Sequence, residues 1–242
     1  ALYSVASNDR FMYFLADDSH VYRIAGGSIS EPLTSVGIHH EIAGYATVSD
    51  AIGFCFTMEG QNFYTLILPG QNRSFLYSEQ TGWSELSSDG GRTYANSYAY
   101  AYRKHLVADR RSGNIYEWDL DTYDDAGDPI IRIRDTGPLS GESVGVPGRS
   151  VEMNSFTLIM ETGIGLLSGQ GQDPVVSLQV SDDGGKTWST EMWAKAGTSG
   201  QFQKEVRWNA LGSFYERMLR IKCSDPVFFS IHSAAAELEP GV

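Results

Sequence analysis

Ile52-Gly53-Phe54-Cys55-Phe56-Thr57-Met58-Glu59-Gly60-Gln61-Asn62-Phe63-Tyr64-Thr65-Leu66-Ile67-Leu68 is the stretch that decides the fold class. Two runs rich in aromatic and β-branched residues flank the polar turn Glu59-Gly60-Gln61-Asn62. That pattern predicts an antiparallel hairpin with strands at Ile52–Thr57 and Phe63–Leu68. Similar hairpins lie on either side. Phe11–Ala16 leads through Asp17-Asp18-Ser19 to Val21–Ile24, and His105–Ala108 leads through Arg111-Ser112-Gly113-Asn114 to Ile115–Asp119. Ser74–Ser78 reads as a further strand. Phe14-Leu15-Ala16-Asp17, Phe54-Cys55-Phe56-Thr57 and Leu106-Val107-Ala108-Asp109 occupy matching places. Each is followed by an apolar residue and a tyrosine: Val21-Tyr22, Phe63-Tyr64, Ile115-Tyr116. Those tyrosines are 42 and 52 residues apart. A hairpin recurring at about 40–50 residues has the period of a β-propeller blade.

Residues 1–137 are therefore expected to hold about three propeller-like blades. A propeller typically closes with about four to eight. Three would leave sheet edges unprotected, so the remaining blades are expected in sequence outside this chain or from a partner. The start at Ala1, without an initiator Met, reads as a processed or truncated protein.

Composition agrees with many short strands. The 242 residues include 26 glycines and 13 tyrosines. Glycine is thus about 11%, against about 7% in average usage. No apolar run approaches the ~18 residues that span a bilayer, and no basic segment opens a signal peptide. Lys and Arg number 18 against 30 Asp and Glu, a net charge of −12. Such a chain repels phosphate and anionic membrane surfaces in general, although a local basic patch is compatible with it. Cys55 and Cys223 are 168 residues apart. They form no disulfide framework and no metal spacing, and are expected to be reduced and buried, as in a reducing cytosol.

The composition changes after Thr136. Residues 138–150 are rich in Gly, Pro and Ser and read as a linker or long loop. A C-terminal antiparallel β domain is expected over 151–242. Its strands are predicted at Val151–Glu161, Val175–Val180, Val206–Trp208 and Val227–Leu238. Phe214–Cys223 fits both a helical face and a strand. A turn at Leu211–Ser213 followed by a strand at Glu216–Cys223 is the preferred reading.

The sharpest motif is Ser181-Asp182-Asp183-Gly184-Gly185-Lys186-Thr187-Trp188, the Asp-box pattern S-x-D-x-G-x-T-W. Its residue types suit a turn. Asp183 can accept backbone N–H bonds, Gly185 permits positive φ, and Trp188 can pack back on the hairpin. A weaker copy, Ser87-Ser88-Asp89-Gly90-Gly91-Arg92-Thr93-Tyr94, lies 94 residues earlier. Asp boxes are familiar from sialidases, where they are structural turns away from the catalytic centre. Ser181, Asp183, Gly185, Thr187 and Trp188 are therefore read as structural. Arg23-Ile24-Ala25 and Arg132-Ile133-Arg134 come nearest to a sialidase Arg-Ile-Pro segment, and both lack the proline. Asp119, Asp121, Asp124, Asp125 and Asp128 suggest a calcium loop, but Tyr123 stands where an EF-hand register needs an oxygen ligand. The balance favours a solvated acidic turn. His39-His40-Glu41, read as strand, would point its two imidazoles to opposite faces. No catalytic, cofactor-binding or metal-ligating residue is assigned.

The last hundred residues carry a resemblance. Met160-Glu161-Thr162-Gly163-Ile164-Gly165 is followed by Pro174-Val175-Val176-Ser177-Leu178-Gln179-Val180 and the Asp box. Glu205-Val206-Arg207-Trp208-Asn209-Ala210-Leu211-Gly212, Arg217-Met218-Leu219-Arg220-Ile221 and Ser224-Asp225-Pro226-Val227 come next. This ordered series resembles the C-terminal region of the packaged-DNA stabilization proteins of short-tailed bacteriophages, also described as tail hub or tail accessory proteins. Lys104–Asp109 and Gly113–Asp119 resemble the repeats of the same family. The resemblance spans about residues 95–242, with a looser match before that. It implies a non-enzymatic virion tail component made in the bacterial host cytoplasm. It implies a hexameric ring of this chain below the portal and its adaptor. That ring would contact other tail proteins, close the DNA exit channel and meet packaged DNA without sequence-specific contact or membrane. The alternative is a sialidase-type propeller that binds or cleaves glycans, such as a phage receptor-binding part.

Overall fold

The computed structural model describes residues 1–241. The protein is almost entirely antiparallel β and divides into two compact units, Ala1–Leu120 and a second beginning at Asp121.

The first unit contains three antiparallel meanders. The first runs Ala6–Ser7, Met12–Leu15, Val21–Ala25, Ser28–Ile29. The second runs Ile52–Met58, Gln61–Leu68, Arg73–Ser78, Gly82–Glu85. The third runs Ala95–Ala101, Lys104–Asp109, Ile115–Glu117. In each sheet, neighbours in space are neighbours in sequence. The central hairpin pairs Ile52 with Ile67 through to Met58 with Gln61. Its turn is only Glu59-Gly60, with φ of 50° and 76°. Two successive left-handed residues match the twist that a two-residue hairpin needs.

The second meander is buried on both faces, which explains the unbroken apolar run Phe63–Leu68. Side chains alternate along a strand. Tyr64, Leu66 and Leu68 join a core with Tyr13, Leu15 and Val21 of the first meander. Phe63 and Ile67 face the other way, with Phe54, Phe56, Tyr98 and Trp118. Tyr13 stacks on Tyr64 with ring centroids 5.1 Å apart. The Tyr64 hydroxyl donates to the carbonyl of Ser4 at 2.8 Å. Burial raises the Tyr13 phenol to about 12, so both rings are neutral packing elements. Each fully buried leucine here contributes about 2 kcal/mol.

Residues 36–43 depart from the strand reading of His39-His40-Glu41. They form a helix, Val36–Ala43, capped by the Ser35 side chain accepting from the Ile38 amide. Ile42 anchors it in the core. The His39 ring stacks on His20, with centroids 3.7 Å apart.

The second unit is a sandwich of two sheets. One runs Arg132–Asp135, Glu216–Cys223, Val175–Ser181, Met192–Lys195, with Leu139–Ser140 also paired to Glu216–Cys223. The other runs Val206–Phe214, Val151–Met160, Ile231–Pro240. Their inner faces share a core of Val151, Met153, Phe156, Leu158, Val176, Leu178, Trp208, Leu219 and Ile221. Ambiguous Phe214–Cys223 resolves into strand, because Arg217, Leu219, Ile221 and Cys223 alternate inward.

Three sequence expectations shift. The unit division falls after Leu120 and not at 137, because Arg132–Asp135 pairs along Glu216–Cys223. Residues 138–150 are not a free linker. Gly141 is buried, and a Cβ there would sit 2.2 Å from the carbonyl oxygen of Val146, so only glycine allows that packing. The strand that begins at Val206 extends to Phe214, past the expected turn at Leu211–Ser213, with left-handed Ala210 and Gly212 inside it. Both cysteines are free. Cys223 is buried, whereas Cys55 is only half-buried.

Gly53 marks the closest backbone approach in the first unit. A Cβ there would lie 2.3 Å from the Ser4 carbonyl oxygen. Gly53→Ala is expected to destabilise the protein by about 2 kcal/mol through overpacking, read as a lower urea midpoint. An unchanged midpoint would contradict this packing.

Candidate functional site

The Asp box follows directly on the strand Val175–Ser181. Asp183 is its hub. Asp183 Oδ1 accepts from the Ser181 hydroxyl at 2.7 Å, the Lys186 amide at 2.9 Å and the Thr187 amide at 3.0 Å. Oδ2 accepts from the Thr187 hydroxyl at 2.6 Å. Ser181 Oγ also accepts the Gly185 amide at 2.9 Å. Gly184 and Gly185 have φ of 75° and 86°, which turns these amides inward. Four donors favour the charged carboxylate, the Thr187 hydroxyl most of all. They hold its ionisation well below the usual carboxylate range. An acid so placed stays an acceptor and has no proton to give at neutral pH.

Two arginines tie the turn to the sandwich. Arg217 is 4% exposed at its side chain. Its Nε and Nη2 donate to Asp182 Oδ1 and Oδ2 at 2.6 and 2.7 Å, a bidentate pair. Its Nη1 donates to the Leu211 carbonyl at 2.7 Å. The guanidinium also lies 4.4 Å from the Phe214 ring centroid. Arg220 forms a second bidentate pair, with Asp135 at 2.8 Å on both oxygens. Its guanidinium covers the Trp188 ring at 3.9 Å. Asp135, Arg220 and Trp188 thus form a stack on the sheet face, two strands wide. The carboxylates of Asp135, Asp182 and Asp183 are all engaged.

The sequence motif identified Ser181, Asp183, Gly185, Thr187 and Trp188, and the structure brings all five into one turn region. It did not identify Arg217, Arg220, Asp182 or Asp135. The available signal was Arg217-Met218-Leu219-Arg220-Ile221, whose alternation puts Arg217 on the apolar side. The weaker copy forms a tight hairpin, Ser87–Ser88 paired with Gly91–Arg92, with left-handed Asp89 and Gly90 between them. The Arg111 guanidinium covers Tyr94 at 3.2 Å. The acidic cluster contains another hairpin, Asp124–Asp125 paired with Asp128–Pro129, where Asp124 accepts the Gly127 amide. Among the described residues, no three His, Cys, Asp or Glu side chains converge as a metal group.

Residues 141–239 match the family model described as "Bacteriophage P22 Gp10, beta-sandwich". The matched segment is less than half of the chain and lies within the second unit. It supports a phage structural protein. No curated protein matches the chain. Among solved structures, a glycoside hydrolase family 43 arabinoxylan arabinofuranohydrolase from Bacillus subtilis aligns at 9% identity and a TM-score of 0.22. That alignment covers 98% of this chain and 52% of the other, so the chain spans about half the length of that structure.

Removing Arg217 strands the Leu211 carbonyl and leaves Asp182 unpaired. Arg217→Ala is expected to cost about 3 kcal/mol, measured by denaturant unfolding. Gly185→Ala, which forces a Cβ onto a left-handed residue, is expected to cost about 1 kcal/mol. Loss of less than a few tenths in both would show that the network is not structural.

Proposed function

We propose that the chain is part of a bacteriophage tail and acts by assembly, not by catalysis. In this reading it joins a ring of identical copies below the portal and adaptor and helps close the DNA exit channel. The observation that carries the proposal is the match of residues 141–239 to the P22 Gp10 β-sandwich family model. The Asp-box geometry supports it, because the motif's acid is consumed by its own turn. The three meanders of the first unit suit propeller-like blades that bury their faces on one another.

The charge also fits a conduit. Each copy carries −12. A ring whose lumen shares that sign would repel passing DNA and keep it from sticking. The strand edges of the sandwich offer main-chain contacts to neighbours.

The test is reconstitution with portal–adaptor particles holding packaged DNA. Addition of the protein is expected to yield a docked ring by electron microscopy and to slow DNA leakage. Failure to dock, with equal leakage with and without it, would overturn the assignment. Robust turnover of a fluorogenic sialoside, abolished by changing one carboxylate, would replace it with the glycan reading.

A further inference from the structure

The sandwich of the second unit is closed along one side and open along the other. On the closed side, Met192–Lys195 and Val206–Phe214 end their respective sheets. There the Trp208 indole Nε1 donates across to the Met192 carbonyl at 2.8 Å. On the other side the terminal strands are Arg132–Asp135 and Ile231–Pro240. A cleft of about 650 Å³ separates them, lined by residues 132–137, Ile221, Phe229 and residues 231–234. Each of these strands pairs on one side only among the described residues. Each therefore presents a row of unpaired main-chain groups outward.

The cleft has a defined chemistry. Ile221 is buried, and Phe229 and Ile231 pack against the same core, so its floor is apolar. Its wall is basic. Arg134 pairs in register with Ile221, and Arg132 with Cys223. Ile221 and Cys223 point inward, so the two arginines lie on the inward face of the edge strand, while Ile133 and Asp135 face out. Arg132 donates to the Asp225 carbonyl. Arg134 is exposed and has no carboxylate partner among the described residues. Asp135, the acid in the lining, is held by Arg220. His232 lies on the opposite wall. In a chain of net charge −12, this is a locally basic groove between two open edges.

We propose that this groove receives an extended, carboxylate-bearing segment of a partner protein as an added β-strand. Main-chain bonds to the edges would hold it. Aliphatic side chains at alternate positions would cover Ile221, Phe229 and Ile231, and an acidic side chain on the same face would meet Arg134. The edge Arg132–Asp135 spans about 13 Å, the length of four strand residues. Arg134 would also disfavour strands of the wrong charge, since an inward cation at an edge penalises a basic side chain placed opposite it. The site stands whether or not the chain is a tail component.

The test uses the full chain and three synthetic peptides. The first is acetyl-Val-Thr-Val-Thr-Glu-Thr-Val-Thr-amide, the second replaces Glu with Lys, and the third is N-methylated on alternate backbone nitrogens. Amide exchange is followed along the chain. The Glu peptide is expected to slow exchange about tenfold at residues 132–135 and 231–234. The Lys and N-methylated peptides are expected to do so far less. Arg134→Glu, an exposed change that leaves the fold intact by circular dichroism, is expected to reverse the preference between Glu and Lys. No slowing at either edge with millimolar Glu peptide would overturn the groove. Equal protection by the Lys peptide, or a preference unmoved by Arg134→Glu, would overturn the acidic partner.

Discussion

The second unit turns on one buried guanidinium. The chain leaves one sheet at Phe214 and enters the other at Glu216, with only Tyr215 between. A buried carbonyl without a donor is costly. Arg217 donates to the carbonyl of Leu211, within the strand that leads to the crossing, and to both oxygens of Asp182. A lysine could supply the charge but not the planar fork that reaches both acceptor sets at once. Because Asp182 belongs to the Asp box, the turn and the corner constrain each other. The motif that looks most like chemistry is thereby part of the packing that keeps the two sheets face to face.

The first unit solves its packing differently. Its buried carboxylate, Asp109, is satisfied locally by the Arg111 amide and the Ser112 hydroxyl and ties no two sheets together. Its second meander is covered on both faces, by aromatic and aliphatic side chains that alternate along Gln61–Leu68. Both units still face the same problem of sheet edges. The sandwich pairs off one margin through Trp208 and Met192 and leaves the other open beside Arg134. That asymmetry is the basis of the proposed strand-docking groove, whereas the Asp box braces the corner through Asp182 and Arg217.

Local signals made much of this legible. The hairpin at Ile52–Leu68 follows from an apolar run, the polar stretch Glu59-Gly60-Gln61-Asn62 and a second run, although pairing of Met58 with Gln61 tightens the turn to Glu59-Gly60. The strand Glu216–Cys223 follows from Leu219, Ile221 and Cys223 alternating with Arg220 and Lys222. The Asp-box turn follows from residue types at fixed spacing. What escaped was long-range or marginal. Arg132–Asp135 pairs with residues some ninety positions away, and nothing local in Arg-Ile-Arg-Asp records that partner. The helix Val36–Ala43 is too short to show a clear period. Its one local cue is Ser35 as cap, and Ile42 fixes it only through tertiary burial. Arg217 carries no mark of its role until both the corner and Asp182 are placed beside it.

In this structure the Asp183 carboxylate is an acceptor within its own turn, and the hydrogen bonds it receives favour its ionised form. A carbon-detected NMR titration of the Asp183 carboxyl tests it most directly. The resonance is expected to keep its ionised position well below pH 3.9, the ordinary midpoint of an aspartate, while the fold persists. A titration centred near or above that midpoint would contradict it, since it would mean that the four hydrogen bonds to Asp183 do not exist in solution.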